Sequence, residues 1–313
     1  MLVLLLSLCL GCVSAAQSPD NSLNIVDLAR RLNANSFLAA LDTAGLTDIV
    51  RGLTDVTVFV PSNAAFAALS QVTPQPGQGD PNFLPELLKF HIIKGLHPLS
   101  TLEDEGVYPT LAASFTGARF NIYNHSYMPD IKLYQGAVIN QGNSNHFASN
   151  GIIHFLDQVV TSLPSVTTVA KVVSTPELST LLALVQQTPE ALALVNSDET
   201  PHTLFAPANA AITKLDDATR TKILTSPAYR KAVLLNHITQ FGTYFSNGWI
   251  DGELVPVTNW TAYLLIKKPA GANILVNGGA QIVQPDVATS NGVIHVIDTV
   301  LLPRNPDGSL LNV

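Results

Sequence analysis

The sequence predicts an α+β protein built from two tandem copies of one domain, and three observations support this. Hydrophobic residues make up 47% of the 313-residue chain, which is enough for more than one core. Short blocks of sequence recur in the same order in both halves, as expected of duplicated units. In each half, apolar residues at helical spacing come first and short β-branched or aromatic runs follow. We therefore expect helices early and strands late in each domain.

The duplication rests on three pairs of blocks. The blocks and their copies are Thr57–Phe66 and Thr203–Ile212, Leu88–Ile92 and Leu234–Ile238, and Ser149–Asp157 and Ser290–Asp298. The first two pairs are offset by 146 residues and the third by 141, so a few residues are missing from loops of the second copy. We place the two domains at residues 22–163 and 166–303. The linker between them is very short, which favours an interface between the domains.

Local signals predict the elements of the first domain. Residues Ile25–Leu32 and Phe37–Leu41 have helical spacing, and Thr57–Val60 is a β-branched and aromatic run that Pro61 should end. Ser62 is expected to cap the helix that follows, because its hydroxyl can accept a free backbone N–H. We also predict a loop at Thr73–Asp80, a helix at Phe83–Phe90, and strands at Phe120–Tyr123, Lys132–Tyr134, Val138–Ile139 and Ile152–Leu156.

Residues 1–16 are predicted to be a signal peptide. The apolar run Leu2–Leu10 is too short to span a bilayer, and the small residues Val13–Ala15 suit a cleavage site. Both cysteines, Cys9 and Cys12, lie in this segment, so the mature chain would have neither disulfides nor thiolate chemistry. We expect a secreted protein, extracellular or associated with the cell surface, that does not span a membrane.

Charge and motif content argue against several functional classes. The net charge is −7 and no cluster of Lys or Arg is present, which argues against nucleic-acid binding. The sequence contains neither a Gly-x-Ser-x-Gly elbow nor a Gly-rich phosphate loop. Few carboxylates and no Cys accompany the repeated histidines, although a zinc site needs three or four ligands. We therefore expect no enzyme activity, no cofactor and no metal, and we retain a hydrolase as the least favoured alternative.

The repeated blocks resemble the motifs of the fasciclin domain family. These motifs are Thr-Φ-Phe-Φ-Pro-x-Asn-x-Ala, an aromatic-His pair, and Ser-Asn-Gly-Φ-Φ-His-Φ-Φ-Asp, where Φ is apolar. The resemblance covers nearly all of the mature chain, twice over. It implies that each domain is a wedge-like β-sandwich with helices packed around it. It also implies cell adhesion or binding to matrix, usually without catalysis.

The last motif contains a histidine and an aspartate in each domain: His154, Asp157, His295 and Asp298. The apolar residues around each histidine predict a buried strand, where a neutral imidazole would bond to backbone or to a nearby Asp. The alternative is a metal ligand or a general base. Residues three apart on a strand face opposite sides, so we expect each Asp to end its strand and cap the following turn.

The family resemblance implies two partner-binding segments. A Pro-Asp-hydrophobic segment before the last motif is implicated in integrin binding, and Pro285, Asp286 and Val287 match it. An aromatic-His segment is implicated as well, and Phe90 and His91 match it. An exposed Asp286 could complete the coordination of a receptor's metal ion, whereas the alternative is a plain turn into the strand. The expected partners are a cell-surface receptor, matrix or cell-wall components.

Two sequons and two tryptophans complete the candidate residues. Asn124 and Asn259 begin Asn-x-Ser/Thr sequences, which predicts a glycoprotein if the host glycosylates. A second functional class is a carbohydrate or small-ligand binding module of the cell surface. Exposed aromatic residues around Trp249 or Trp260 would indicate that class.

Overall fold

The computed structural model describes residues 22–72, 79–112, 117–125, 129–258, 262–304 and 311. In the described part of the first repeat, the helices are α1 (Ile25–Arg31), α2 (Asn35–Thr43), α3 (Thr47–Gly52), α4 (Asn63–Leu69) and α5 (Phe83–Phe90). The strands are β1 (Val56–Pro61), β2 (Ile92–Lys94), β3 (Val107–Tyr108), β4 (Ala118–Tyr123), β5 (Ile131–Tyr134), β6 (Ala137–Val138), β7 (His146–Ala148) and β8 (Gly151–Leu156). The α+β class predicted from the sequence is confirmed.

The second repeat follows the same plan. Its described helices are α6 (Thr168–Val173), α7 (Ser179–Gln186), α8 (Pro189–Val195), α9 (Asn209–Thr213), α10 (Asp217–Thr225) and α11 (Pro227–Leu235). Its described strands are β9 (His202–Pro207), β10 (Ile238–Thr239), β11 (Leu254–Pro256), β12 (Tyr263–Lys267), β13 (Leu275–Val276), β14 (Ala280–Ala288) and β15 (Gly292–Ile297).

Most of the local predictions hold. The Ser62 hydroxyl accepts the Ala65 N–H and caps α4, and α5 has the predicted bounds. Pro61 does not stop the first strand but is its last residue, paired with Leu156. Ile139 lies just outside β6 and forms an isolated bridge instead. These differences amount to one residue at an element's end.

A pair of parallel strands lies at the centre of each repeat. β1 pairs with β8 and β9 with β15, and the first sheet has the order β2-β1-β8-β7. The corresponding strands of the second repeat, β10-β9-β15-β14, continue through β14 into β13-β12-β11 to form one seven-stranded sheet. In the first repeat the counterpart of that extension is a separate sheet, β3-β4-β5-β6.

The parallel strands are buried on both faces. All six residues of β1 and all six of β8 are buried, a pattern typical of strands covered by other layers on both sides. Val58 and Ile153 pack under the helices, whereas Phe59 and Leu156 pack against the second sheet. The repeated motif residues on these strands are therefore buried.

One hydrophobic cluster contains residues of both repeats. Tyr123 and Leu133 of the first repeat belong to the same buried cluster as Phe245 of the second. The Tyr123 ring lies so close to Gly248 that an added Cβ there would be 2.3 Å from it. Phe245 lies in the same way against Gly136, at 2.7 Å from the position of an added Cβ. The interface expected from the short linker is therefore present, and each side contributes an aromatic ring and a glycine.

Candidate functional site

The aromatic-His pair is part of the core. Phe90 and His91 are both 0% exposed. His91 Nδ1 donates to the Leu87 carbonyl at 2.8 Å, and its Nε2 accepts the Val160 N–H at 3.2 Å. The prediction that this pair binds a partner is wrong, because neither side chain reaches the surface. Its role is to tie the end of α5 to the segment that leaves β8.

The histidines of the last motif each join two segments of backbone. His154 Nδ1 accepts the Asn145 N–H at 3.1 Å, and its Nε2 lies 2.9 Å from the His97 carbonyl, to which it donates. His295 does the same with the Asp286 N–H at 3.2 Å and the Tyr244 carbonyl at 2.8 Å. Both rings are fully buried, as the sequence predicted.

These hydrogen bonds need neutral rings, because one nitrogen of each ring accepts a backbone N–H. Burial accordingly lowers the pKa of His91, His154, His202 and His237 to about 4. Burial also lowers the pKa of His295, against the opposing effect of the nearby Asp286 carboxylate. Among the described residues, no group of three or more His, Cys, Asp or Glu is arranged to hold a metal ion.

The aspartates of the last motif cap a neighbouring strand. Asp157 Oδ1 accepts the Val138 N–H at 2.9 Å, and Asp298 Oδ1 accepts the Gln281 N–H at 2.9 Å. Each Asp directly follows the end of its strand, as predicted, since β8 ends at Leu156 and β15 at Ile297. The predicted cap on the following turn is seen only at Asp298, which also accepts the Thr299 hydroxyl. The contacts with Val138 and Gln281 cross to a neighbouring strand.

The motif asparagine joins the helical layer to the sheet. Asn150 Oδ1 accepts the Ile25 N–H at 2.8 Å, and its Nδ2 donates to the carbonyls of Val50 and Leu53. Asn291 makes the equivalent contacts with the first amide of α6 and with carbonyls at the end of α8. The repeated motif residues therefore hold the fold together and leave binding to other positions.

The Pro-Asp-hydrophobic segment lies on a bulge of β14. The pairing of β14 with β15 shifts register between Ile282 and Gln284 and again before Val287. Asp286 at the bulge has φ +58°, in the left-handed region. Val283 is 51% exposed, and Gln284 and Pro285 are exposed beside it. This surface, residues 283–285, is called the bulge edge below.

Asp286 does not present a free carboxylate. Its Oδ1 accepts the Ser246 N–H at 2.8 Å, its Oδ2 accepts the Ser246 hydroxyl, and its side chain is 24% exposed. The sequence-based expectation of an exposed charge in a turn is therefore wrong. Asn145 has the same φ of +58° in the first repeat, and its Oδ1 accepts the Leu99 N–H. Asp286 thus fastens the bulge to the residues at Ser246, and Asn145 fastens the start of β7 to the loop at Leu99.

Replacing Asp286 should therefore change stability in a way that depends on the substitute. We expect Asp286→Ala to lower the free energy of unfolding by roughly 2–3 kcal/mol, since it leaves the buried Ser246 donors without an acceptor and puts Ala at positive φ. Asp286→Asn should cost less than about 1 kcal/mol, because Asn145 does this work in the first repeat. Urea unfolding at pH 7 measures both, and equal costs would contradict this role.

A groove of about 220 Å³ borders the bulge edge where the repeats meet. Pro285 and Asp286 line one side, and Gly136, Gln158 and Ser162 of the first repeat line the other. The Ala288 N–H donates to the hydroxyl of Ser162, a lining residue, at 2.9 Å and so links the two repeats beside the groove. The exposed face of the bulge thus continues across both repeats.

The remaining candidate residues are only partly described. Asn124 is exposed, whereas the rest of its sequon from Ser126 lies outside the described residues. Asn259 and Trp260 lie outside the described residues as well, as do Cys9, Cys12 and residues 1–16. Trp249 is 2% exposed, so it cannot form the surface aromatic platform considered for carbohydrate binding. In the described part of the chain, no helix combines the length and apolar character needed to cross a membrane.

The residues at the junction, where the first repeat contacts the second, were not predicted from the sequence. Asn121 and Tyr123 of β4 both bond to Thr243: Asn121 Nδ2 lies 2.8 Å from its hydroxyl, and the Tyr123 hydroxyl donates to its carbonyl at 3.0 Å. Glu105 accepts the Thr243 N–H at 2.6 Å. The one sequence signal was Asn121, a polar residue between the apolar residues Phe120 and Ile122 of β4.

Comparisons with known proteins agree with the duplicated fold. The fasciclin domain model matches residues 32–162 and again residues 176–303. Transforming growth factor-beta-induced protein ig-h3 of Oryctolagus cuniculus is 28% identical over 79% of this chain and 34% of that protein. Periostin of Homo sapiens is 26% identical over 84% of this chain and 30% of that protein. The chain thus spans about a third of the length of these curated relatives.

One solved structure is also similar. It is a FAS1 domain pair from the insect cell adhesion molecule fasciclin I, with 21% sequence identity and a TM-score of 0.42. The match covers 86% of this chain and 96% of that one.

Proposed function

This chain belongs to the fasciclin domain family, and from that premise we propose that it is a non-catalytic adhesion or matrix-interaction protein. Homologues such as transforming growth factor-beta-induced protein ig-h3 and periostin are extracellular adhesion or matrix proteins, which supports an adhesion-type role. We propose that the partner is a cell-surface receptor, matrix or cell-wall component, and that the bulge edge contacts it.

The exposure of the bulge edge is the observation that carries this proposal. Val283 is a large apolar side chain left half in solvent on a strand whose other face is buried. The bulge is held in place from behind, because both carboxylate oxygens of Asp286 accept hydrogen bonds from Ser246. An apolar residue on a rigid, pre-formed edge binds with little loss of conformational entropy.

The absence of catalysis is part of the proposal. The repeated histidines, the usual general bases, have both ring nitrogens bonded to backbone in the core. A general base must reach a substrate's proton, and these rings do not. A screen of the protein with generic ester substrates tests the hydrolase alternative, and turnover would overturn this part of the proposal.

Secretion, glycosylation and domain bounds follow from the sequence and stay predictions. We propose that the signal peptide is removed by cleavage after Ala15 or Ala16, that Asn124 and Asn259 are glycosylated, and that the domains span residues 22–163 and 166–303. N-terminal sequencing of the exported protein checks the first of these, since the mature chain should begin at Ala16 or Gln17.

Adhesion should depend on Val283. We expect Val283→Ser to weaken attachment by about fivefold or more, the effect of losing an interface residue worth more than about 1 kcal/mol. The measurement is attachment of cells, or of isolated cell walls, of the producing organism to a surface coated with the full chain. Val107→Ser is the matched control, because Val107 is also a strand valine and is 48% exposed.

Two outcomes would overturn the assignment. Normal attachment by Val283→Ser, or an equal loss with Val107→Ser, would mean that the bulge edge makes no specific contact. Asp286→Asn tests the remaining possibility, which is that the Asp286 carboxylate ligates a cation bound to the receptor. We expect Asp286→Asn to attach normally, since both carboxylate oxygens are already bonded within the protein.

A further inference from the structure

A second opening at the junction lies apart from the bulge edge. It is a cavity of about 220 Å³, lined by strand β4 and its following residues on one side and by residues 241–244 and Glu253 on the other. We call it the junction cavity. Its volume is below the roughly 300–1,000 Å³ of sites for drug-sized ligands, so it suits a small head group.

The junction cavity is acidic. Asp104, Glu105 and Glu253 line it, and its described lining contains no Lys or Arg. Glu105 is saturated, since its carboxylate accepts hydrogen bonds from Arg119, Asn121 and Thr243. Asp104 and Glu253 each use one oxygen for a backbone N–H, and the other oxygen has no hydrogen bond to a described residue. These two carboxylates therefore supply charge that the protein does not neutralise.

Two buried polar atoms in the lining lack a partner among the described residues. Asn121 is 1% exposed, and its amide orientation is fixed because Nδ2 donates to Glu105 at 2.9 Å. Its Oδ1 is therefore an acceptor without a donor. The His125 side chain is 8% exposed, with Nε2 3.6 Å from a Glu253 oxygen and Nδ1 without a partner. With the ring proton directed to Glu253, Nδ1 is a second unused acceptor.

Aromatic rings form the rest of the wall. Tyr123 stacks on His125 with ring centroids 6.5 Å apart, and Tyr244 meets Tyr123 edge to face at 6.5 Å. Burial, and after it the negative charges of Glu105, Glu253 and Asp104, raise the pKa of Tyr244 to about 12. The faces of such rings attract cations.

We propose that the junction cavity binds a small organic cation with N–H donors, a guanidinium or primary ammonium group. Such a group supplies the donors that Asn121 Oδ1 and His125 Nδ1 lack and the positive charge that Asp104 and Glu253 attract. An anion would be repelled by the three carboxylates and would find no Lys or Arg among the described lining residues, and a neutral polar group would leave the carboxylate charge unbalanced. The ligand holds both repeats at once, since its contacts come from each.

Calorimetric titration of the full chain tests the charge requirement. The probe is n-butylguanidinium, and the matched neutral probe is n-butylurea, which has a similar shape and donors but no charge. We expect saturable binding of n-butylguanidinium and about tenfold or more weaker binding of n-butylurea, because a charged hydrogen bond in a partly buried site is much the stronger. No saturable heat, or equal affinity for the two probes, would overturn the proposal.

Variants test the location. Glu253→Gln keeps an acceptor for the Ile250 N–H but removes the charge, and should weaken binding by about tenfold or more. Asp251→Asn is the matched control, an exposed carboxylate two residues away that does not line the cavity. His125→Phe keeps the ring and removes the acceptor, and gives an independent loss if Glu253→Gln folds poorly. Equal binding by Glu253→Gln and Asp251→Asn would place the cation elsewhere and overturn the proposal.

The guanidinium or ammonium group belongs either to a free small molecule or to a side chain of a partner protein. A blocked Gly-Arg-Gly tripeptide, titrated in the same way, distinguishes them. Tighter binding of the tripeptide than of n-butylguanidinium identifies a partner's Arg as the occupant, and equal or weaker binding identifies a free cation. Failure of adhesion through Val283 leaves this result unaffected, because the bulge edge and the junction cavity share no residue.

Discussion

Acidification from pH 7 to pH 4 should remove most of this protein's stability. Four imidazoles have a pKa of about 4 in the folded chain against 6.5 when unfolded. That difference corresponds to roughly 3 kcal/mol for each histidine. Four such contributions are as large as the whole stability of a typical domain, about 5–15 kcal/mol. The effect should exceed that of any single substitution at the surface.

The sign of this pH dependence follows from proton uptake by the unfolded chain. Between pH 6.5 and 4 the unfolded chain binds protons at these histidines and the folded chain does not, so the free energy of unfolding rises with pH across that window. The stabilising contribution of these histidines is fully present above pH 6.5 and has been lost by pH 4. The carboxyls of Glu105 and Asp157 act in the opposite sense because partial burial raises their pKa, but they number two against four.

Urea unfolding at half-unit intervals of pH measures the slope. His202→Val is the matched variant, because Val56 occupies the equivalent strand position in the first repeat. We expect it to reduce the slope near pH 5 by about 1.4 kcal/mol per pH unit, the effect of one proton. A stability that is flat between pH 6.5 and 4.5, or a slope that His202→Val leaves unchanged, would contradict neutral buried rings.

Gly248→Ala should break the contact between the repeats. The added methyl would lie 2.3 Å from the Tyr123 ring. The ring cannot move away freely, because its hydroxyl donates to Thr243 and accepts the Phe245 N–H at 2.6 Å. We expect a loss of about 3 kcal/mol, the upper part of the range for overpacking. Thermal unfolding should also change from one transition to two, as the repeats lose their common core.

Gly279→Ala is the matched control, since an added Cβ there meets nothing within 4 Å. A second test places Gly248→Ala in a Tyr123→Ala background. With the ring removed, the additional cost of the methyl should fall nearly to zero, because contacting residues are not additive. An undiminished cost in that background would show that the strain at Gly248 comes from its own backbone and not from the interface.

Features set by neighbouring residues were predictable from the sequence. The Ser62 cap, helix α5 and the buried, neutral His154 all follow from local spacing and apolar runs. The burial of the aromatic-His pair was not predictable. Phe90 and His91 end an amphipathic helix, and only the packing of the second sheet decides that both are buried.

Features that depend on distant residues were missed for the same physical reason. Asp286 bonds to Ser246, 40 residues earlier, and Asn121 bonds to Thr243, 122 residues later. A motif indicates that a residue type is needed at a position but does not identify the group it bonds. The junction cavity is therefore invisible in the sequence, since its walls come from both repeats.

The exchange of ring and glycine across the junction has a consequence for how such chains can diversify. Tyr123 needs Gly248 opposite it, and Phe245 needs Gly136, so each repeat carries half of two matched pairs. A repeat exchanged with one from a tandem that lacks these pairs would bring a ring without its glycine, or a glycine without its ring. Such an exchange preserves the contact only if both repeats are moved together.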